Sequence, residues 1–185
     1  MRRSILSLAL VLFPAALAAQ GGPIDPGSIV LGGSVSFTSS GGDLYENAEG
    51  DRATTITINP RALFFVMRGL AVGGDVLIST SSQGDFDSTT LGIGPAAYYF
   101  FGGPNARIYP FIGASVGYAK VSVEDFDGSG LVYGPTAGVA FLLSESVALT
   151  TAATYRMENV SIDEIDEDVD GNVFSIDVGI QAFMH

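Results

Sequence analysis

Cysteine and histidine, which many enzymes use for nucleophilic and acid–base catalysis, are nearly absent from this chain. Its 185 residues include no cysteine and one histidine, His185. A serine nucleophile needs a positioned base and a cysteine nucleophile needs the thiol itself, so neither a Ser-His-Asp site nor a Cys-His site can be assembled in the ordinary way. Carboxylate pairs can transfer protons, but among 20 acidic residues such pairs arise by chance. We therefore expect no enzymatic activity.

One acidic segment has the spacing of oxygen ligands around Ca²⁺. Asp166, Asp168 and Asp170 alternate and are followed by Gly171, as at the start of a calcium-binding loop. Asp177 stands eleven residues after Asp166, but it lies in an alternating segment that should turn it away from the others. The preferred interpretation is a solvated acidic loop, and the alternative is a Ca²⁺ site at Asp166, Asp168 and Asp170. No other cofactor is expected.

Four further charged residues lie inside otherwise apolar, alternating segments: Arg61, Asp75, Arg156 and Asp177. If these segments are strands that turn about Arg68, Arg61 lies opposite Asp75. A charge network that fills and neutralises an interior is the preferred interpretation, because enclosed charges are tolerable only when they are paired. A gate or conduction pathway is the alternative.

The elements that carry these residues are eight stretches in which apolar residues alternate with small or polar ones. They span residues 28–39, 53–66, 70–82, 88–101, 108–122, 130–142, 147–159 and 172–184. Ile56, Ile58 and Phe64 share one face of the second stretch, while Thr57 and Arg61 share the other. The pattern predicts an all-β fold, an eight-stranded antiparallel up-and-down transmembrane β-barrel whose large residues meet lipid. A soluble barrel or sandwich would instead hide them inside.

Two details of this barrel follow from the same pattern. Its first strand should pair with its eighth, with both chain ends on the periplasmic side. Four prolines stand within the strands, so local bulges are expected at Pro60, Pro95, Pro110 and Pro135.

The links between the stretches differ in charge. Links 40–52, 83–87, 123–129 and 160–171 carry 15 of the 20 acidic residues, and the alternate links are short and nearly balanced in charge. Alternate connections share one end of an up-and-down barrel. Because short turns face the periplasm and longer loops face outside, we expect an acidic extracellular surface. Divalent ions could bridge it to the phosphates of lipopolysaccharide.

The first residues indicate export. Arg2 and Arg3 precede an apolar run from Ile5 to Phe13, and small residues offer cleavage after Ala18 or Ala19. We predict a signal peptide at 1–19, a Gly/Pro-rich periplasmic leader at 20–27 and a barrel at 28–185. The formal net charge of −12 argues against nucleic acid as a partner.

Several runs carry a family resemblance. They are Thr57–Pro60 with Phe64–Val66, Leu70–Gly73, Leu91–Phe100 and Tyr109–Tyr118. Together they resemble the outer-membrane β-barrel domain family that includes OmpX-like and OmpA-barrel-like proteins, over essentially all of the chain beyond the signal peptide. The resemblance implies the outer membrane of a Gram-negative bacterium, and outer-membrane lipid, lipopolysaccharide and the barrel assembly machinery as partners. Such barrels usually finish with an aromatic residue, whereas Phe183 here falls on the inward parity.

Two functional classes remain. The first is a structural or surface-interaction protein, expected to be a monomer, with acidic loops, an unidentified extracellular ligand and a lumen filled by side chains. The second is a narrow channel for small or hydrophobic solutes. Eight strands enclose little more than their own side chains, which favours the first class.

Overall fold

The computed structural model describes residues 22–40, 53–84, 86–103, 105–123, 126–162 and 167–185. The strands are β1 Ile29–Ser40, β2 Ala53–Met67, β3 Leu70–Gln83, β4 Phe86–Phe100, β5 Ile108–Val123, β6 Phe126–Leu142, β7 Val147–Ile162 and β8 Glu167–Met184. They form one closed antiparallel barrel in sequence order, and β1 pairs with β8 from Ile29↔Met184 to Val35↔Val178. The predicted fold class is confirmed. Within the described ranges, no helix combines the length and apolarity needed to cross a bilayer.

The alternation of the sequence becomes the two faces of the wall. In β2, Ile56, Ile58 and Phe64 are 44–47% exposed on the outer face, while Thr57 and Phe65 are buried inside. Successive side chains of a strand point to opposite faces, so a period of two sorts each strand by itself. At about 3.3 Å per residue and a tilt of about 40°, the outward apolar run of β2 from Ile56 to Val66 is about 25 Å tall, close to the apolar band of known barrels.

The strands continue past this band at the acidic end, which corrects the predicted links. The segments between strands shrink to 84–85, 124–125 and 163–166, in place of 83–87, 123–129 and 160–171. Gly84, with φ 61°, supports the tight turn between β3 and β4. Beyond Ile78, the remainder of β3 projects about 12 Å further at the same rise and tilt. Above the lipid no apolar face is needed, so the alternation fades although backbone pairing continues.

Link length alone therefore does not separate the two ends of the barrel. At the end where β1 begins and β8 ends, the segments between strands are 68–69, 101–107 and 143–146. The segment 101–107 is longer than three of the four links at the acidic end. The ends differ instead in charge and in strand overhang.

The prolines do not produce the predicted bulges. Between β2 and β3 the register passes from Ile58↔Ile78 to Arg61↔Asp75 without a shift, so Pro60 interrupts pairing but inserts no residue. The register is likewise unchanged around Pro95 and Pro135. The irregularity recorded in these described pairings lies between Phe65 and Met67. A proline lacks one N–H, and losing one ladder hydrogen bond does not require an extra residue.

The described part of the predicted leader folds under the barrel. Ile24 is 1% exposed and joins the buried cluster at this end. Its carbonyl accepts a hydrogen bond from the Gly69 N–H at 2.9 Å, and the Gly27 N–H donates to the Phe65 carbonyl at 2.9 Å. Asp25 faces Arg68 across 3.5 Å. These contacts tie residues 22–27 to the β2–β3 turn.

Candidate functional site in the barrel interior

The predicted pair Arg61 and Asp75 forms in the interior. Arg61 on β2 is the register partner of Asp75 on β3. Its Nε and Nη2 atoms donate to the two Asp75 carboxylate oxygens at 3.0 and 3.2 Å. Tyr98 joins them, because its hydroxyl donates to Asp75 Oδ2 at 2.7 Å and accepts from Arg61 Nη2 at 2.5 Å. The guanidinium carbon lies 4.1 Å from the centroid of the Tyr98 ring. Bidentate and charge-assisted hydrogen bonds of this kind offset the cost of enclosing both charges.

The other two predicted charges do not pair with each other. Arg156 Nε contacts Glu158 Oε1 at 2.6 Å, on the same face of the same strand. Asp177 accepts hydrogen bonds from Thr154 Oγ1 at 2.8 Å and Ser175 Oγ at 3.0 Å. The expectation of an opposite-charge contact at Asp177 is wrong among the described residues.

Register gives the reason. Arg156 stands opposite Val173, and Ala152 stands opposite Asp177, so the two charges are four residues apart along β8. That is about 13 Å at the rise of a strand. Glu158 was missed by the sequence reasoning, although its inward parity, two residues after Arg156, is a signal that could have found it.

An aromatic cluster fills the interior at the end of the barrel where β1 begins and β8 ends. The centroid of the Phe100 ring lies 5.5 Å from that of Phe65, 5.2 Å from that of Phe111 and 6.2 Å from that of Phe183. Each of these four side chains is at most 2% exposed, and Tyr98 packs against Phe111 at 6.1 Å between centroids. The prediction that small residues dominate the inner face is therefore wrong at this end.

Glycines on the adjacent strand make room for two of the rings, because Gly113 is the register partner of Tyr98 and Gly138 that of Phe111. A Cβ on Gly113 would stand 2.1 Å from Tyr98 Cδ1, and one on Gly138 would stand 2.6 Å from Phe111 Cζ. Real Cβ atoms do not come that close, so no larger residue fits at either position without moving a ring. A barrel of eight strands thus accommodates a large inward side chain where the residue beside it is glycine, which has no side chain.

A small polar cavity lies next to the charged residues. It has a volume of about 70 Å³, and its wall includes Asp75, Tyr98, Thr136, Thr154 and Asp177. Nearby, hydroxyl groups form hydrogen bonds between the adjacent strands β2 and β3. Thr55 contacts Ser81 at 2.9 Å, and Thr57 contacts Ser79 at 3.0 Å. The cavity admits a few waters or an ion, but it is too small for an organic solute.

The predicted Ca²⁺ ligands fall partly outside the described residues. Asp166 lies there, and of Asp168 only the strand position is described. Asp170 is exposed on the outer face of β8, where it accepts a hydrogen bond from Asn159 Nδ2 at 2.5 Å. Asp168 and Asp170 belong to β8 and not to the predicted loop 160–171. The described part of the chain contains no group of three or more His, Cys, Asp or Glu side chains that could hold a metal ion, so calcium binding stays a prediction.

Three comparisons place this geometry among known proteins. A family model described as "Outer membrane protein beta-barrel domain" matches residues 5–181. The crystal structure of Neisserial surface protein A is similar with a TM-score of 0.53 and 16% identity, over 84% of this chain and 96% of that one. The outer membrane protein OprG from Pseudomonas aeruginosa is similar with a TM-score of 0.55 and 17% identity, over 90% and 99%. At these identities the likeness shows the fold alone. No curated protein matches the sequence.

Proposed function

Since the chain belongs to the outer membrane protein β-barrel domain family, we propose that it is a non-conducting outer-membrane barrel with a structural or surface-interaction role. It performs no catalysis, works as a monomer and reaches the membrane after removal of residues 1–19. In the membrane it contacts outer-membrane lipid and lipopolysaccharide. During insertion it contacts the barrel assembly machinery. The formal net charge of −12 on the chain argues against nucleic acid as a partner, because nucleic acid is negatively charged too.

The aromatic cluster is the observation that carries the proposal. Four rings are buried inside the wall: Phe100 contacts Phe65, Phe111 and Phe183, and Phe65 also contacts Phe183. Ile24 belongs to the same buried cluster. An apolar constriction opposes ion passage, because an ion would have to shed its hydration shell there. A side-chain-filled lumen leaves the overhanging acidic hairpins as the part of the protein available to an extracellular ligand.

Single-channel recording in planar bilayers tests the proposal. The purified wild-type protein should show no stable openings. The variant Phe100→Ala/Phe111→Ala removes two inward rings, so it should open more often, while Phe101→Ala/Ile112→Ala changes outward neighbours and should stay silent.

Stable conductance of the wild-type protein would favour the alternative function, a narrow channel for small or hydrophobic solutes. An inward variant as silent as its outward control would show that the rings do not close the lumen. Either result contradicts the proposal. Circular dichroism of each variant verifies that it is folded.

The acidic end is proposed to bind Ca²⁺ through Asp166, Asp168 and Asp170. An ion that relieves repulsion only in the folded state stabilises that state in proportion to its occupancy, so chelator should lower the melting temperature. The triple change of these residues to Asn should abolish the calcium effect and leave folding intact, because backbone hydrogen bonds hold the barrel. If millimolar calcium gives no heat of binding and no shift in melting temperature, the segment does not bind Ca²⁺ and is only a solvated acidic end.

A further inference from the structure

Asp177 is a buried carboxylate without a cationic partner among the described residues. Its side chain lies on the inner face of β8, and the residue is 4% exposed. The hydroxyls of Thr154 and Ser175 donate to its two oxygens. The described ion pairs join Arg61 to Asp75, Arg68 to Asp25 and Arg156 to Glu158, so both inward guanidinium groups are already engaged elsewhere.

The interior therefore carries an uncompensated charge. Among the described side chains that face inward, Arg61 and Arg156 contribute two positive charges, whereas Asp75, Glu158 and Asp177 contribute three negative charges, a difference of minus one. An isolated buried carboxylate is costly, and either a proton or a bound cation must offset that cost. One monovalent ion balances the count, whereas a divalent ion would leave an excess of positive charge.

The surroundings of Asp177 suit a small hard cation. The carboxylate lines the cavity of about 70 Å³ together with Thr136, Thr154 and Ser175. Arg61 and Arg156 line it too, but each is already paired, with Asp75 and with Glu158. Thr136 Oγ1 lies 3.3 Å from Thr154 Oγ1, so the hydroxyls extend from the carboxylate as a chain of oxygen atoms. Each hydroxyl oxygen keeps a lone pair after donating its proton, and oxygen ligands are those that hard cations prefer.

A second feature of β8 agrees with a shortage of donors inside the barrel. Gln181, further along the same inward face, is 2% exposed, and its Oε1 has no hydrogen-bond partner within the described structure. Buried acceptors are nearly always satisfied by a protein donor, water or an ion. Gln181 Oε1 is thus one buried oxygen that lacks a donor within the described structure, although Gln181 does not line the cavity at Asp177.

We infer that the lumenal cavity binds one monovalent alkali cation, Na⁺ or K⁺, with the Asp177 carboxylate as its principal ligand. The hydroxyl oxygens of Thr154, Ser175 and Thr136, with water, complete its coordination. The ion neutralises the interior and fixes the hydroxyl network around it. The site is proposed independently of the role in surface interaction.

The test uses the folded protein in detergent micelles, with aspartate labelled by ¹³C at the carboxyl carbon. NaCl or KCl is titrated against choline chloride at constant ionic strength, because choline is too large for the cavity. The resonance of Asp177, identified by its loss in Asp177→Asn, should shift and saturate. At tenfold excess over Kd, the melting temperature should rise by about 3–6 °C.

Two variants separate the site from general screening. Asp177→Asn should lose the cation-dependent rise in melting temperature. Asp87→Asn, which removes an exposed carboxylate from the outer face of β4, should keep both responses. If choline raises the melting temperature equally, or if Asp177→Asn still responds to Na⁺ or K⁺, the response is general electrostatic screening and not binding at Asp177. A resonance typical of a protonated acid in every salt would show that a proton, and not an ion, neutralises Asp177, which overturns the inference.

Discussion

Replacing Arg61 by Met should destabilise the barrel far more than the same change at Arg68. Arg61 is 10% exposed and holds Asp75 through two hydrogen bonds, whereas the Arg68 side chain is 49% exposed and lies 3.5 Å from Asp25. Removing one partner of a buried pair costs about 3–5 kcal/mol, since it leaves a buried charge. The Tyr98 hydroxyl still donates to Asp75, so we expect about 3 kcal/mol for Arg61→Met. An exposed pair contributes about 0–1 kcal/mol, which sets the expectation for Arg68→Met.

The free energy of unfolding can be measured by guanidinium titration of the barrel in phosphatidylcholine vesicles. The chain has no tryptophan, so far-ultraviolet circular dichroism is the suitable signal. The double variant Arg61→Met/Asp75→Leu encloses no charge at this position and should be more stable than Arg61→Met alone. Equal losses for Arg61→Met and Arg68→Met, or a double variant less stable than the single one, would refute the assignment of a buried, mutually dependent pair.

Two further substitutions test the packing at the end of the barrel where β1 begins and β8 ends, with the same assay. Gly113→Ala should cost about 1–3 kcal/mol because its Cβ would overlap the Tyr98 ring, whereas Gly103→Ala, with nothing within 4 Å, should be nearly neutral; equal losses would mean that the ring simply moves away. Ile24→Ala should cost about 2–4 kcal/mol if residues 22–27 are docked, compared with little for the exposed Pro26→Ala. An Ile24 variant as stable as the wild type would show that the leader contributes nothing.

Features with a period of two could be predicted from the sequence. The number of strands, the outward set Ile56, Ile58 and Phe64, and the closure of β1 on β8 all agree with the prediction. The opposition of Arg61 and Asp75 was also predictable, because the short β2–β3 turn fixes the pairing of those two strands locally. The aromatic cluster was predictable only in part, since parity turns Phe100 inward but says nothing about which rings meet there.

The sequence by itself determined which face of the wall each side chain occupies, because a strand alternates whatever its neighbours are. Only the tertiary structure decided which inward side chains share a level around the barrel. That level depends on the stagger of all eight strands at closure, which no local pattern encodes. For this reason Arg156 lies four residues along β8 from Asp177 and does not pair with it, and Phe183 of the last strand meets Phe65 of the second. The same closure continues the backbone ladder beyond the lipid, where apolar residues no longer mark a strand.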